Sequence, residues 1–427
     1  MAANQTSQSR SGATQAHAGF SLVELMVALT IGGVALTSIY AVGAASTRHF
    51  REQARISTTQ TSVRMAMETI KKDFQRAGYF GTPNAEVQPE RCGGGLPPTS
   101  LTPGAYKLAA VTDFFDRVAG VDTPPAYVDS TTSQVNKPYI ALDSVALVGN
   151  YTTTGEYPMR SFSTNTVRLA QDSYSFQRDF WYNGPSPPAD RLLISSVTSA
   201  FALGRMVRLH AAGETFMFTT VNGPPTVSLP DVQVPVAAST APSGCAVTTG
   251  GWIAPVNKIQ YRVMEGTYSE ASRLSTGGKF GILKRTEVDP TVAPDTTTGV
   301  ITALNDASGS APLDDRSVLD YVVNFNLRFV MAVKGANNRS VPNTVNWVAA
   351  PAADVHDLPH EIIGVIIDLA ARTPEQEPSM SYLAGSFGTF TESGPRTFRV
   401  FTDRPGAARV RAAHAELLLP NIAYKGY

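Results

Sequence analysis

Glu24 places one carboxylate near the start of an otherwise apolar run, Gly19-Phe20-Ser21-Leu22-Val23-Glu24-Leu25-Met26-Val27-Ala28-Leu29. From Leu25 to Thr47 there is no Asp, Glu, Lys or Arg, and about 20 apolar residues suffice to cross a bilayer. A lone carboxylate inside such a span costs roughly 2.5–3.5 kcal/mol, or neutralises, unless it finds a partner. A cut between Gly19 and Phe20 would supply one. The new α-amine would stand at i to Glu24 at i+4, on the same helix face. The carboxylate would also lie near the positive end of the helix dipole. Glu24 can then pair with the amine of its own chain or with that of a neighbouring subunit.

The element that must carry this group is one long helix. Residues 1–19 are polar, rich in Ser, Gln, Thr and Ala, and read as a removable leader. Beyond the apolar run, Ile56, Val63, Met67, Ile70 and Phe74 recur on one face of an amphipathic helix. Proline is absent before Pro83, and Gly78 follows Lys and Arg as a C-cap. A helix from Phe20 to Ala77 spans about 87 Å at roughly 1.5 Å per residue. Gly32, Gly33 and Gly43 weaken it locally and permit a kink or close helix packing. The division is therefore 1–19 leader, 20–78 helix and 79–427 head.

The head reads as β-rich, which makes the fold α+β: a long N-terminal helix packed on a large antiparallel sheet structure. Pro (29) and Gly (34) indicate many turns. Strand-like runs recur at 143–149, 167–169, 191–196, 206–210, 215–221, 258–263, 281–287, 321–329, 362–369 and 397–402. Tyr321, Val323, Phe325, Leu327 and Phe329 alternate with Asn324, Asn326 and Arg328, predicting one buried and one polar face. Ile362-Ile363-Gly364-Val365-Ile366-Ile367 is apolar on both faces and predicts a central strand. The stretch from Gly81 to Pro138 reads as irregular, with a short helix near Thr112–Val118.

Other chemistry was sought in the composition. Lys plus Arg and Asp plus Glu both number 35, so the net charge is zero, which argues against an electrostatic grip on nucleic acid. His356 and His360 flank Pro359 beside Glu361, and the proline disfavours a helical zinc pair. Asn305-Asp306 and Asp314-Asp315 lack calcium-loop spacing and read as solvated turns. No nucleophile elbow, phosphate loop or dinucleotide glycine pattern occurs, so no catalytic residue, metal ligand or cofactor is assigned. Asn150-Tyr151-Thr152 and Asn338-Arg339-Ser340 match a glycosylation pattern of little weight here. An exported chain meets an oxidising compartment, where Cys92 and Cys245 either bridge or stay as thiols.

The segment around Gly19, Phe20 and Glu24 resembles the class III signal of type IV prepilins and type II secretion pseudopilins. The resemblance implies a prepilin peptidase that cuts after Gly19 and methylates the Phe20 amine. It also implies a helix that anchors in the inner membrane and later packs in a filament core, with Glu24 serving assembly. Parts of the head resemble PilW-type minor pilins. They are Leu319–Phe329, Gly364–Thr373, Tyr261-Arg262-Val263 followed by Gly281–Arg285, Phe398–Phe401 and Leu417–Asn421. In two of them Lys284 and Pro420 depart from the usual pattern. This implies a non-enzymatic subunit that initiates pilus assembly and sits at or near the tip. The implied partners are PilV-, PilX- and FimU-type minor pilins, a PilY-type adhesin and the major pilin. Arg48, Arg51 and Arg55 follow the span against Arg10 before it, which mildly opposes an external head. Long domains translocate largely regardless of such charges, and the resemblance implies a head outside the inner membrane. Two alternatives stand: a J-like minor pseudopilin of a secretion filament, and a membrane-anchored adhesin, ligand-binding protein or enzyme.

Overall fold

Strong helix formers and the absence of proline make Leu22–Arg76 a single helix, α1, in the computed structural model. The structure describes residues 21–81, 92, 109–115, 141–163, 165–180, 194–211, 215–228, 231–237, 250–267, 279–295, 299–306, 309, 311–334, 340–346, 359–375, 377, 397–398 and 406–423. The chain divides into two compact units, Met1–Ser57 and Thr58–Tyr427. The first contains the apolar part of α1. Within the second, Val63, Met67, Ile70 and Phe74 are buried, the spacing expected of a helix that docks through one face. Ile56, the first member of the expected stripe, belongs to the other unit and is half-buried.

The helix ends where the sequence places its stop. Gly78 takes φ +76°, a left-handed value that suits glycine after a helix. Its N–H donates to the Val148 carbonyl at 2.8 Å. Next to that bond, a Cβ on Gly149 would stand 2.5 Å from the Arg76 carbonyl oxygen. Glycine there lets the helix end rest directly on a strand.

The strands begin with β1 (Val111–Phe115), β2 (Ala141–Leu142), β3 (Ser144–Gly149), β4 (Tyr157–Ser163) and β5 (Thr166–Ala170). After the short helices α2 (Tyr174–Phe180) and α3 (Ile194–Ala200) come β6 (Met206–His210), β7 (Phe216–Thr220), β8 (Thr226–Ser228) and β9 (Asp231–Pro235). Then follow β10 (Trp252–Thr267), β11 (Lys279–Val288), β12 (Asp315–Lys334), β13 (Ser340–Asn346), β14 (Ile362–Arg372), β15 (Thr397–Phe398), β16 (Ala408–Leu418) and the last short helix, α4 (Pro420–Ala423). They hydrogen-bond in the order β15-β16-β14-β12-β11-β10-β4-β5-β9-β8. Among the described residues, every pairing between strands is antiparallel except the parallel one of β2 on β12, so the fold is α+β as expected.

Strand β10 joins two cores. Its C-terminal half pairs with β3 and β11, and its N-terminal end with β6 and β4. The larger core lies between α1 and the sheet, with Phe74, Tyr261, Phe325 and Phe329 at its centre. The smaller gathers Tyr157, Phe176, Phe180 and Phe201 beneath α2 and α3. Two buried ion pairs brace β10 and β11. Lys258 Nζ lies 2.7 Å from Asp113 Oδ2, and the Arg205 guanidinium meets Glu287 at 2.6 Å.

Several local expectations fail. Residues 194–200 form a helix instead of a strand. The segment at Thr112 is strand β1 instead of a helix, paired to β3 with an irregularity after Thr112. Asp113 there has φ 50°, which Asp tolerates better than most residues. Strand β12 is present, but its alternation breaks twice. Tyr321 has φ 59° at one shift in register, and an extra residue falls between Val322 and Asn324. A bulge reverses which face a side chain takes. Leu319, Val322, Phe325, Leu327, Phe329 and Met331 therefore enter the large core, while Tyr321 stacks on Phe280 at 4.9 Å. Strand β14 is central, between β12 and β16, as its two apolar faces require.

Candidate functional site

Ser21 and Glu24 close the first turn of α1 around each other. The Ser21 hydroxyl accepts from the Val23 N–H at 3.2 Å, and the Glu24 carboxylate accepts from the Ser21 N–H at 3.1 Å. The Ser21 carbonyl accepts the first helical bond, from Leu25, at 3.1 Å. This is a reciprocal cap in which two end donors are satisfied by side chains. The Ser-x-x-Glu spacing ahead of an apolar run announces it in the sequence, and the reading from the amine alone missed it. Gly19 and Phe20 lie outside the described residues.

The helix behind this cap suits a lipid environment. It holds an 18-residue window of mean hydropathy 2.0, none of it buried within the protein. Leu22, Leu29, Val34, Leu36 and Ile39 are all exposed. Four hydroxyls inside the run bond back to the helix. Thr30 donates to the Val27 carbonyl at 2.9 Å, Ser38 to Val34 and Thr47 to Gly43 at 2.8 Å each, and Thr37 to Gly33. Back-bonding of this kind spares these four hydroxyl protons the need for water. A Cβ at Gly32, Gly33 or Gly43 would meet nothing within 4 Å. Among the described residues, these glycines therefore serve no packing contact. Length, apolarity and the N-terminal position together fit membrane anchoring.

At the other end, α1 is fixed to the head by a charge. Asp73 Oδ2 accepts from the Tyr261 hydroxyl and from Arg285 Nε, both at 2.6 Å. Arg285 also bonds Asp314 and lies over the Tyr151 ring at 5.7 Å. The Arg285 and Asp73 side chains are only 4% and 13% exposed, so solvent screens the pair little. Burial alone would depress the Arg285 pKa, but Asp73 and its other partners raise it. Burial and the Asp73 charge push the Tyr261 hydroxyl well above its ordinary value. Asp73, one residue before the buried Phe74, is the charged group through which the helix is anchored. Arg285 closes the strand motif that carried the head resemblance.

The remaining sequence candidates divide cleanly. Cys92 is disulfide-bonded and packs against the smaller core, while Cys245 lies outside the described residues. Asp314 and Asp315 are not solvated turn charges. Asp314 serves Arg285, and Asp315 accepts from Lys284 at 2.7 Å and Thr286 at 2.9 Å. Asn150 is fully buried, and its amide bonds both Thr153 and Gly155, which removes it as a surface acceptor for sugars. His360 Nε2 is 3.9 Å from Glu361, and His356 lies outside the described residues. Among the described residues, no three His, Cys, Asp or Glu side chains converge on a metal position.

Residues 14–40 match the prokaryotic N-terminal methylation motif, the span that contains Gly19, Phe20 and Glu24. Among solved structures, the type IV-like pilin TTHA1219 from Thermus thermophilus is similar over 54% of this chain and 94% of its own. The identity is 14% and the TM-score 0.17, so the likeness fixes nothing about the head. No curated protein matches the chain.

Proposed function

We propose that this protein is a type IV pilus subunit made as a prepilin, and within that class a PilW-like minor pilin acting at or near the pilus tip. One observation supports the reading above the others. The methylation motif ends in a helix whose sole acid group in the apolar run, Glu24, stands capped at its first turn. Removal of residues 1–19 after Gly19 would free the Phe20 amine one turn from that carboxylate, and methylation would keep its positive charge. The amine and the carboxylate of adjoining subunits then neutralise each other where neither could be solvated. The subunit waits in the inner membrane, with its head on the far side from the cytoplasm, and joins the filament by helix packing. Its proposed partners are a prepilin peptidase, PilV-, PilX- and FimU-type minor pilins, a PilY-type tip adhesin and the major pilin. A Cys92–Cys245 bridge forms after export. No catalytic role is proposed.

The test is the mass and N-terminal sequence of protein recovered from the membrane. The reading requires methylated Phe20 as the first residue. It also requires Gly19→Val to leave the leader attached, because a branched side chain then occupies the peptidase site. Recovery of the wild type with Met1 in place, from cells that assemble normal fibres, would overturn it.

A further inference from the structure

The head carries a cleft of 490 Å³ whose walls are the 152–154 loop, Arg178 and Asp179 of α2, and Ser196 and Ser199 of α3. We propose that this cleft binds an uncharged sugar, a monosaccharide or disaccharide. The proposal concerns the head alone and stands apart from the assembly reading.

The cleft is built. The Thr152 hydroxyl donates to Asn257 Oδ1 at 2.8 Å, and Asn257 Nδ2 donates to Glu287 Oε1 at 2.7 Å. Glu287 in turn receives the Arg205 guanidinium at 2.7 and 2.6 Å. Arg205 Nη1 reaches the α3 carbonyls, Ala200 at 2.9 Å and Ser199. One buried chain of bonds thus ties the loop wall to the α3 wall. A buried ion pair contributes little net stability once desolvation is counted; here it fixes two surfaces relative to each other. Asn150 sets the loop itself, its Oδ1 accepting from the N–H groups of Thr152 and Thr153 at 3.2 and 2.9 Å. The third wall is equally fixed. Asp179 accepts from the Tyr157 hydroxyl at 2.8 Å, Thr154 at 3.0 Å and Arg178 Nε at 2.8 Å. A Cβ on Gly155 would stand 2.8 Å from Arg178 Nη2, so the glycine makes room for the guanidinium.

The chemistry of the lining selects the ligand class. Arg178 and Asp179 cancel, and the Arg178 fork is already committed to Asp179 and Thr154. An anion would meet the Asp179 carboxylate, and a cation the Arg178 guanidinium. The Thr152, Thr153 and Thr154 hydroxyl protons go to Asn257, Gly155 and Asp179, so these oxygens offer lone pairs, while Ser196 and Ser199 bring hydroxyls that both donate and accept. Phe180 and Ala200 underlie the cleft, each only 2% exposed. Sugar hydroxyls match the polar set above them. The volume falls within the ~300–1,000 Å³ of ligand pockets.

The experiment is saturation-transfer NMR on the full chain in a zwitterionic, sugar-free detergent. The probes are the methyl pyranosides of glucose, galactose, mannose and N-acetylglucosamine, with N-acetylneuraminic acid and glucuronic acid as charged comparators. Transfer to at least one neutral glycoside is expected, and little to either acid. Ser199→Trp places an indole in the cleft from an exposed position and should abolish it. Ser196→Ala removes one uncommitted hydroxyl from the lining and should weaken binding about tenfold. The proposal falls if no neutral glycoside binds the wild type. It falls equally if the acids bind better, or if both variants keep native near-ultraviolet dichroism and undiminished transfer.

Discussion

Replacing Asp73 with alanine isolates what the anchor of α1 contributes. The substitution leaves Arg285, at 4% exposure, with Asp314 as its remaining carboxylate, and Asp314 is itself 31% exposed. Removing one partner of a fully buried pair costs ~3–5 kcal/mol. The surviving Asp314 contact reduces that to about 2 kcal/mol. The fully buried Tyr261 hydroxyl also loses its acceptor, which adds roughly 1 kcal/mol. The expected total is about 3 kcal/mol. Asp73→Asn keeps an accepting oxygen and should cost about half as much. Urea unfolding of the full chain in detergent reads this directly. The chain's 3 tryptophans all lie in the head, so their fluorescence reports the domain that the anchor holds. A double-mutant cycle with Arg285→Met should give a coupling energy above ~1 kcal/mol. A loss below ~1 kcal/mol for Asp73→Ala, or additive effects with Arg285→Met, would refute the assignment.

Three further outcomes follow from the same structure. Gly149→Ala forces a methyl group to within 2.5 Å of the Arg76 carbonyl; overpacking of this kind should cost ~1–3 kcal/mol in the same assay. His414 donates from Nδ1 to Asp368 at 2.6 Å, in a row that continues from Asp368 to Arg328 at 3.0 Å. The bond to Asp368 raises the His414 pKa above its usual value, against a smaller effect of burial and with help from Glu416. A raised folded-state pKa stabilises fully below the unfolded value of about 6.5 and stops doing so as pH rises through the folded one. The stability gap between wild type and His414→Gln should therefore be widest near pH 5 and close toward pH 9. At 38% exposure of the imidazole, solvent keeps that gap under ~1 kcal/mol, and a gap independent of pH would refute the pairing. Glu24→Ala should leave membrane fractionation unchanged yet prevent recovery of the subunit in sheared filaments; wild-type recovery in a complemented deletion strain would remove Glu24 from assembly.

Legibility tracked how local the cause was. The helix was readable because its period, its lack of proline and the Gly78 stop are all written within a few residues of where they act. Strand β14 was readable for the same reason: apolar residues on both faces leave a strand only the middle of a sheet. Strand β16 escaped because Ala-Arg-Val-Arg-Ala-Ala-His-Ala-Glu alternates small with charged residues, and alanine carries a weak strand signal. Helix α3 was mistaken because Leu192, Leu193 and Ile194 together resemble a buried strand, while the helical spacing shows only in Val197, Ala200 and Phe201, all buried. The two breaks in β12 depend on how its neighbours register, and the Asp73–Arg285 bond joins residues 212 apart in sequence. Neither leaves a mark near its own position. At the N-terminus the site was legible as chemistry through Glu24, but the part played by Ser21 came only with the geometry.

If the proposed assembly is right, the cap at Ser21 bears on how one subunit would be passed from bilayer to fibre. A carboxylate has about four lone-pair positions, and the Ser21 amide takes one, on Oε2 of Glu24. An ammonium arriving from another copy approaches the remaining lobes and displaces nothing. Starting the helix and receiving a neighbour would thus draw on separate parts of a single group, and the proposed polymerisation would not have to begin by unwinding the end of the rod that it joins.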